Sequence, residues 1–424
     1  MLDIKFIADN IELVKENIKN RQMSVDIDRL LEANTKKKEY TRQLDLLREE
    51  ANVIAKNFHT YTEAEKPLKG ARAKELKVEI AKLSQLLKEF FDQYTADLAK
   101  VPNLTAPDVP VGKTDKDNKV VRKHGKVPHF DFAIQDHVQL GKTLDLIDFE
   151  TAAATTGAKF YFLKNEAVIL ELALIRFALD KALAKGYQLM ATPDIARDDV
   201  ITASGYSPRG AETQIYSIEN TNLSLIGTSE ILIGGYFAKC TFKEKQLPLK
   251  IAAVSHCFRT EAGSYGSESR GLYRVHQFSK VELYQITSPA TSDAALEEIV
   301  SLEEEIYQAL GIPYQIVIVC TGDLGATAYK KYDIEAWLPS KENEGCAYGE
   351  ITSASNCTAY QSKRLGISCE DANNNKVLAH TLNGTAIAIS RTLIALLENY
   401  QQRDGSVLIP EVLWPYTGFK KISS

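Results

Sequence analysis

Several features that would place this chain in a familiar class are missing. Its 424 residues include six cysteines, at positions 240, 257, 320, 346, 357 and 369, and no two form a C-x-x-C pair. We therefore expect neither structural zinc nor a disulfide framework. No apolar run approaches the roughly 18 residues that span a membrane, so no membrane partner is expected. Neither G-x-G-x-x-G nor G-x-x-x-x-G-K-[ST] occurs, which excludes the usual nucleotide-binding folds.

The N-terminal segment also lacks the marks of a targeting peptide. MLDIKFIADNIELVKEN mixes acidic residues with apolar ones and is not basic or acid-poor, so a cytoplasmic location is expected. The net charge is −5, yet residues 1–100 hold 19 Lys and Arg against 18 Asp and Glu. Such a near-neutral segment can carry basic stripes, as at Lys36-Lys37-Lys38. Charge alone therefore neither shows nor excludes RNA binding.

Glycine and proline are nearly absent from residues 27–100, where apolar residues repeat at heptad spacing. Two such stripes, separated by an interruption at residues 59–70 that contains Pro67 and Gly70 as helix breakers, predict an antiparallel helical hairpin. A helix of roughly 32 residues reaches about 48 Å, so the hairpin should project and serve dimerisation, spacing or the probing of a large partner. The stripes are Leu44, Leu47, Ala51, Ile54 and Phe58, and then Leu76, Ile80, Leu83, Leu87, Phe90 and Tyr94.

The rest of the chain predicts a linker and one large domain. Residues 101–128 are polar and punctuated by proline, which is typical of a linker between an arm at 1–100 and a domain at 129–424. In that domain β-branched runs and helical stretches do not form regular βαβ units. We expect an α+β fold with an antiparallel sheet flanked by helices. The predicted elements are a helix at 167–185 and strands at 249–254, 273–287, 314–320 and 333–338.

Residues 257–284 carry polar side chains in an unusual arrangement. Arg259 and Glu261 end one extended run, and after a loop rich in Gly and Ser a second run has polar or aromatic residues at alternate positions. Because side chains alternate along a strand, each set would share one face. Such a face suits a phosphorylated aromatic ligand, and a salt-bridged, solvated hairpin is the alternative. The residues of the second run are Arg274, His276, Phe278, Lys280 and Glu282.

A second candidate region lies near the C-terminus, where Gly384, Ala386 and Ala388 alternate. On a strand they would leave one face nearly bare, so that a flat ligand could approach the backbone. Tight packing of the strand on a helix explains small residues equally well. Arg391 favours the ligand, because a guanidinium can stack on one side of a base while Phe278 stacks on the other.

Glu350 and Ser353 offer a carboxylate and a hydroxyl three residues apart. Hard oxygen ligands of this kind suit Mg²⁺, which usually keeps water and phosphate oxygens for the rest of its shell. By itself the pair is a weak signal, because a nearby Glu and Ser are commonplace.

Together these segments resemble motifs 1, 2 and 3 of the class II aminoacyl-tRNA synthetases and, within that class, the seryl-tRNA synthetase family. The resemblance covers essentially the whole chain, including the hairpin, which in that family grips the variable arm of the tRNA. It implies a class II catalytic domain at 129–424 in a homodimeric ligase that activates L-serine with ATP and Mg²⁺. The seryl group would pass to tRNA(Ser) and also to tRNA(Sec). The matching segments are Gly186-Tyr187…Pro193, TSE at 228–230, FRTEAGSYG at 258–266, RVHQFSKVE at 274–282, CTGDLG at 320–325, SNC at 355–357 and NGTAIAISRTL at 383–393.

For ATP, the resemblance implies that Arg259 and Arg391 are the catalytic cations. Arg259 would hold the α-phosphate together with the serine carboxylate. Glu261 would read the adenine amino group, while Phe278 and Arg391 would sandwich the ring. The other implied ATP contacts are Thr260, Arg274 toward the phosphates, the main chain of Val275, Ile351 and Thr352, with Glu350 and Ser353 as the Mg²⁺ ligands.

For serine, the resemblance implies one set of residues at the amino group and another at the hydroxyl. A site built for a hydroxyl can reject an analogue without one by up to about 10⁴–10⁵-fold. Both reactants of activation are anionic, so the chemistry needs charge neutralisation and alignment rather than a general base. The amino-group residues are Thr228 and Glu230, the hydroxyl residues are Glu282 and Thr385 with Asn383 nearby, and Ser229 is a further serine-binding residue.

Three positions depart from the pattern of that family. Ser229 stands where Ala is commoner, Gly349 where Arg often precedes the glutamate, and Ser390 where Gly commonly precedes the motif 3 arginine. Ser390 adds a side chain near the nucleotide, so ATP affinity is the property that it would affect.

Three alternative functions follow from the same sequence. A non-catalytic paralogue would serve as an RNA-binding or regulatory module, and loss of Arg259, Glu261, Glu282 or Arg391 would favour it, but all four are present. A paralogue that activates an amino acid for a carrier protein typically lacks the long arm. A pure dimerisation scaffold leaves the polar face at residues 257–284 unexplained.

Overall fold

A computed structural model describes residues 1–206, 215–261, 271–344 and 347–423, except for the side chains of 342–344. The described chain divides into two compact units, residues 1–102 and 103–424. Cys346 and residues 262–270, which make up most of the Gly- and Ser-rich loop, lie outside the described residues. In the part that is described, no helix combines the length and the apolar character needed to cross a bilayer.

The first unit is helical, and its two long helices form the predicted coiled-coil hairpin. The α3 helix begins after Asp26, whose side chain accepts a hydrogen bond from the N–H of Arg29. Its apolar stripe faces that of α4, and Arg72 of α4 pairs with Glu50 of α3 at 2.8 Å. The hairpin prediction is confirmed. The helices are α1 (Ile4–Asp9), α2 (Ile11–Asn20), α3 (Ile27–Asn57) and α4 (Glu65–Ala99).

The interruption of the hairpin, predicted at residues 59–70, is correct only in its first half. The helices are separated at residues 58–64, but Pro67 and Gly70, which were predicted to break the helix, lie inside α4. Proline is tolerated in the first helical turn, because the N–H groups there have no partner within the helix. At the other end of the hairpin, α1 and α2 bury Ile7 and Val14 against Tyr94 of α4. The base of the arm is therefore a small hydrophobic core of its own.

The second unit is built around an eight-stranded sheet in the order β1-β10-β11-β12-β15-β9-β8-β4. Every neighbouring pair is antiparallel except β4 and β8, which run parallel at one edge. The predicted α+β fold with an antiparallel sheet is confirmed. The strands are β1 (Lys119–His124), β2 (Ile147–Asp148), β3 (Phe162–Leu163), β4 (Gln188–Ala191), β5 (Ile195–Arg197), β6 (Leu223–Leu225), β7 (Thr241–Phe242), β8 (Leu249–Phe258), β9 (Gln277–Thr287), β10 (Tyr314–Ile318), β11 (Lys330–Trp337), β12 (Tyr348–Thr358), β13 (Ser368–Glu370), β14 (Lys376–Leu378), β15 (His380–Ala388), β16 (Val407–Leu408) and β17 (Lys421–Ile422).

Helices cover one face of this sheet and form the main core with it. Phe177, Ile299 and Leu393, from three different helices, are buried together with Leu283 and Ile387 of the central strands. Burial of this kind is the dominant favourable term in folding. The helices of the unit are α5 (His137–Thr143), α6 (Phe149–Thr155), α7 (Glu166–Ala184), α8 (Asp198–Ser204), α9 (Glu230–Tyr236), α10 (Ser292–Ala309), α11 (Tyr360–Leu365), α12 (Ile389–Asn399) and α13 (Trp414–Thr417).

Most of the segment predicted as a linker belongs to the second unit. Residues 103–128 lie in that unit, where β1 pairs with β10 and the Asn103 side chain donates to the carbonyl oxygens of Thr327 and Cys357 at 2.9 Å. All six side chains of β1 are exposed, so this edge strand has no apolar alternation that a sequence could reveal. The assignment of a tRNA-binding arm, a linker and a catalytic domain stays a prediction.

Candidate active site

A pocket lies at the centre of the large sheet. The predicted residues that line it are Thr228, Glu230, Arg259, Glu261, Arg274, Val275, Phe278, Glu282, Glu350, Ile351, Thr352, Ser353, Asn383, Thr385 and Arg391.

Two predicted residues do not line the pocket. Ser229 is fully buried at the N-cap position of α9, and Thr260 lies between the end of β8 and Glu261. Ser229 and Thr260 are each next in sequence to residues that line the pocket. For these two positions the sequence therefore located the right segment but not the side chain that reaches the pocket.

One end of the pocket is formed where β9 and β15 pair. Thr385 lies directly opposite Glu282 in the register of the two strands, so the hydroxyl and the carboxylate are neighbours on one face. Asn383, two residues earlier on β15, donates from Nδ2 to Oε1 of Glu230 at 2.8 Å. Gln361 of α11 donates to the same oxygen at 2.5 Å. This end of the pocket therefore presents carboxylates and a hydroxyl to a small polar ligand.

The pKa of the buried Glu230 carboxyl lies close to neutral pH. Burial raises its pKa, and the negative charge of Glu282 raises it further, to about 7, although the hydrogen bond from Gln361 and the charge of Lys280 oppose the shift. A buried carboxyl with a perturbed pKa beside a polar cavity is a common sign of a functional site. Gln361 was not predicted from the sequence, where a lone glutamine gives no signal.

Lys280 connects the two sides of this end of the pocket. Its ammonium group forms an ion pair with Glu282 and donates to the Thr228 hydroxyl at 3.0 Å. Burial disfavours its charge, but the Glu282 carboxylate and Cys257 together oppose burial and leave the Lys280 pKa raised. Because both charges of the pair are buried, removing either alone would be costly.

The other end of the pocket is cationic and aromatic. The guanidinium carbon of Arg259 lies 5.4 Å from the centroid of the Phe278 ring, and Arg259 donates to the Gly227 carbonyl at 3.3 Å. Nη1 of Arg274 lies 3.6 Å from the Glu261 carboxylate. A cation over an aromatic face and fixed guanidinium donors are suited to a base and to phosphate oxygens.

Glu350 and Arg391 form an ion pair at the same end, with Nη1 of Arg391 3.1 Å from Oε2 of Glu350. Burial raises the Glu350 pKa, but Arg391 and then Lys331 outweigh it, so the pKa is held below its ordinary range and the group is a carboxylate. Arg391 also lies 4.8 Å above the Tyr273 ring. The sandwich of a base between Phe278 and Arg391 stays a prediction.

A bulge in β12 explains why Glu350 and Ser353 both line the pocket although they are three residues apart. The register with β11 shifts between the partners of Thr352 and Glu350, which leaves Ile351 as the extra residue. A bulge re-aims the side chains that follow it. The resulting carboxylate and hydroxyl oxygens are donors of the type that Mg²⁺ takes, so these residues fit that ion.

The face assigned to Gly384 and Ala386 is wrong. Ala386 is buried in the helix-covered core, and a Cβ atom on Gly384 would lie 2.4 Å from Cγ2 of Ile299 on α10. Both residues therefore face the helices, as in the alternative of tight strand–helix packing. Ala388 does line the pocket, because the β9–β15 register shifts between Thr385 and Ile387 and reverses the alternation.

The predicted common face of the second polar run is correct only in part. Phe278, Lys280 and Glu282 line the pocket from β9, but that strand begins at Gln277. Arg274 reaches the pocket from the preceding segment, whereas His276 does not line it. His276 stacks on Phe160 with 5.2 Å between ring centroids. The period-two argument fails where the backbone is not yet a strand.

Five pocket residues were not among the predicted contacts. Lys280 and Tyr273 stand in the polar segment that drew attention, whereas nothing in the local sequence marks Tyr206. Ser390 lines the pocket and is buried, which agrees with a side chain near the ligand. Gly349, another position that departs from the family pattern, packs close to one of the five: a Cβ atom added to Gly349 would lie 3.1 Å from the Tyr273 hydroxyl. The five residues are Tyr206, Tyr273, Lys280, Ala388 and Ser390.

Two family models match the sequence. The model described as "Seryl-tRNA synthetase N-terminal domain" matches residues 1–105, and "tRNA synthetase class II core domain (G, H, P, S and T)" matches residues 214–400. Among curated proteins, a serine–tRNA ligase of Rubrobacter xylanophilus is 48% identical over 421 residues, which cover 99% of this chain and 98% of that protein. A serine–tRNA ligase of Treponema denticola is 47% identical over 423 residues and the full length of both proteins.

Solved structures agree with these matches. The crystal structure of seryl-tRNA synthetase from Pyrococcus horikoshii complexed with ATP has a TM-score of 0.87 and 39% identity, and the match covers 100% of this chain and 99% of that one.

Proposed function

The chain belongs to the seryl-tRNA synthetase family, and from that premise we propose that the pocket is its site of serine activation. The protein is a serine–tRNA ligase: it activates L-serine with ATP to seryl-adenylate and transfers the seryl group to tRNA(Ser). The observation that supports the location most strongly is the opposition of Glu282 and Thr385, beside Glu230, in the same cavity as Arg259 and Arg391.

In this proposal the end of the pocket at β9 and β15 binds the amino acid. The ionised carboxylate of Glu230, with the hydroxyl of Thr228, would hold the ammonium group of serine. Glu282 and Thr385 would receive its hydroxyl, and Asn383 would orient Glu230 through the bond that it already makes. An alanine in this site would leave buried polar groups unpaired, which is the physical basis for rejecting it.

The cationic end would bind ATP. Arg259 would neutralise both the serine carboxylate and the α-phosphate while one attacks the other in line. Glu261 and Phe278 would read and stack the base, with Arg391 on its other side. Aligned donors at the point where charge develops contribute the largest share of such catalysis.

Glu350 and Ser353 would hold a magnesium ion with phosphate oxygens completing its shell. The ion would neutralise charge on the phosphates of ATP. Arg391 is already paired with Glu350, so this arginine would orient the carboxylate toward the ion as well as contact the nucleotide.

The helical hairpin would hold the variable arm of the tRNA. Lys36 and Lys38 are exposed on α3, whereas Lys37 lies 4.6 Å over the Phe91 ring within the hairpin. Two of the three lysines are therefore available to phosphates. The family model for this N-terminal domain supports the assignment, and the alternative enzyme that charges a carrier protein was expected to lack such an arm. Transfer to tRNA(Sec) and a cytoplasmic location belong to the same proposal.

A homodimer is also proposed, because the second unit exposes large apolar side chains on neighbouring elements. Phe162 of β3, Leu172 of α7 and Leu189 of β4 are 45%, 59% and 46% exposed, and exposed large apolar side chains are found at interaction surfaces. Leu172→Glu should convert the dimer to monomers in sedimentation. Val111 is more exposed still, at 71%, and Val111→Glu should leave the protein a dimer; a monomeric wild type would contradict the proposal.

The serine site is tested by serine-dependent exchange of pyrophosphate into ATP. Wild type should strongly prefer serine to alanine and threonine. Thr385→Ala should raise the KM for serine about 2- to 10-fold, the value of one hydrogen bond of about 0.5–1.5 kcal/mol, and leave the KM for ATP unchanged. Equal losses toward serine and ATP would show that Thr385 does not serve the serine hydroxyl.

A further inference from the structure

Helix α10 places a carboxyl group directly behind the strand that carries the proposed serine contacts. Glu303 is 0% exposed, on the helix that covers β12 and β15. A Cβ atom added to Gly384 would lie 2.6 Å from Oε1 of Glu303. The carboxyl group therefore lies over the main chain of β15, one residue from Thr385 and on the side away from the pocket.

Thr385 is the point at which β15 loses its regular pairing on both sides. The ladder with β12 ends at Ala354 and Gly384, and the ladder with β9 shifts register after Thr385. The Thr352 hydroxyl donates to the Thr385 carbonyl. A side chain of the neighbouring strand β12 therefore takes the place of a ladder hydrogen bond here.

The polar neighbours of the Glu303 carboxyl are these same two groups, the Thr352 hydroxyl and the main chain of Thr385. Burial raises the Glu303 pKa well above its ordinary value, and the charges of Glu282 and Asp333 add to the shift. Burial therefore favours the neutral acid, and in that form the carboxyl can both donate and accept. Within the described residues neither carboxyl oxygen makes a hydrogen bond of ordinary geometry, so its capacity is not taken by another group.

We infer that Glu303 is a positioning residue for serine recognition. It fixes the main chain of β15 and so holds the Thr385 side chain in position opposite Glu282. The inference rests on the proposed role of Thr385. It assigns no contact with substrate to Glu303, which lies on the far side of the strand. A displacement of about 1 Å at a reacting site can lower the rate on the order of 100-fold. A group that fixes the position of the Thr385 side chain therefore affects specificity.

The test compares four variants of the full chain by pyrophosphate exchange, with separate serine and ATP titrations. Glu303→Gln keeps a neutral hydrogen-bonding group of the same shape and should keep the KM for serine within about twofold of wild type. Glu303→Met should raise it by roughly 3- to 10-fold, because a residue that acts through Thr385 can cost no more than the loss of the Thr385 hydroxyl itself. The KM for ATP should be unchanged in both. Glu305→Gln, on the same helix and half-exposed, is the matched control.

Glu303→Asp is the second route if the Met variant fails to fold, because it keeps the acid but withdraws it by one methylene. It should also raise the KM for serine and spare that for ATP. The inference is overturned if Glu303→Gln raises the serine KM as much as Glu303→Met or Glu303→Asp does. It is also overturned if these variants raise the KM for serine and the KM for ATP by the same factor. If Thr385→Ala leaves the serine KM unchanged, the proposed serine site is wrong. If Thr385→Ala raises the serine KM but Glu303→Met and Glu303→Asp do not, the serine site stands and only the role of Glu303 is wrong.

Discussion

Glu230→Gln should stabilise the substrate-free protein above neutral pH while it weakens serine activation. In wild type Oε1 of Glu230 accepts both hydrogen bonds, from Asn383 and from Gln361. A glutamine oxygen in the same place can accept both, so the substitution removes the charge and keeps the contacts. It is a clean test of the cost of a buried carboxylate.

The magnitude follows from the pKa, which is raised from 4.5 to about 7 mainly by burial. A carboxyl whose pKa is higher in the folded chain costs nothing below the unfolded value, and the cost grows as the pH rises between the two values. At about 1.4 kcal/mol per pH unit, the cost is about 3 kcal/mol at pH 8.5 and about 1 kcal/mol at pH 5. Glu230→Gln should recover these amounts.

Denaturant unfolding at the two pH values measures the effect, followed by the fluorescence of Trp337 and Trp414, both in the second unit. The exposed Glu244→Gln is the control and should change stability equally at both pH values. A Glu230→Gln protein that is less stable than wild type at pH 8.5, or whose difference from wild type does not change with pH, would refute the reasoning. In wild type, kcat/KM for serine should fall as the pH drops through about 7, because protonated Glu230 cannot pair with the ammonium group.

Two further predictions concern the chemistry and the arm. Arg259→Ala should lower exchange activity by about 10²–10³-fold, the usual cost of losing one preorganised donor, with the circular dichroism spectrum unchanged; activity within tenfold of wild type would exclude its role. Replacing residues 44–86 by a short turn keeps the core around Ile7 and Tyr94. Pyrophosphate exchange should survive, whereas charging of tRNA(Ser) should fall sharply and its salt dependence should weaken; undiminished charging would show that the arm does not hold RNA.

The serine–tRNA ligase assignment shows where sequence reasoning is strong. The hairpin could be predicted because helix formation and heptad packing depend on residues three and four apart. The polar pocket residues could be predicted as a set, because cations, an aromatic ring and carboxylates in one segment have few uses other than ligand binding. Side-chain chemistry and the order of elements sufficed for the hairpin and the polar face, whereas the individual serine and ATP contacts came from the resemblance to the seryl-tRNA synthetase family.

Errors arose where the tertiary structure changed the phase of a strand. Period-two alternation placed Gly384 and Ala386 toward the ligand, but helix α10 fills that side, and a bulge sends Ala388 to the other. A bulge in β12 likewise brings Glu350 and Ser353 together. Bulges depend on pairing with a distant strand, so local sequence does not contain them.

The sequence by itself determined the class of fold, the arm and the chemical inventory of the site, because each is carried by near neighbours along the chain. Only the tertiary structure decided which side chains share the cavity, that Gln361 and Lys280 hold its carboxylates, and that Glu303 stands behind Thr385. The pKa of Glu230 was likewise decided by the tertiary structure. It depends on burial and on charges from β9, which lies about 50 residues away in sequence and in contact only after the sheet has formed.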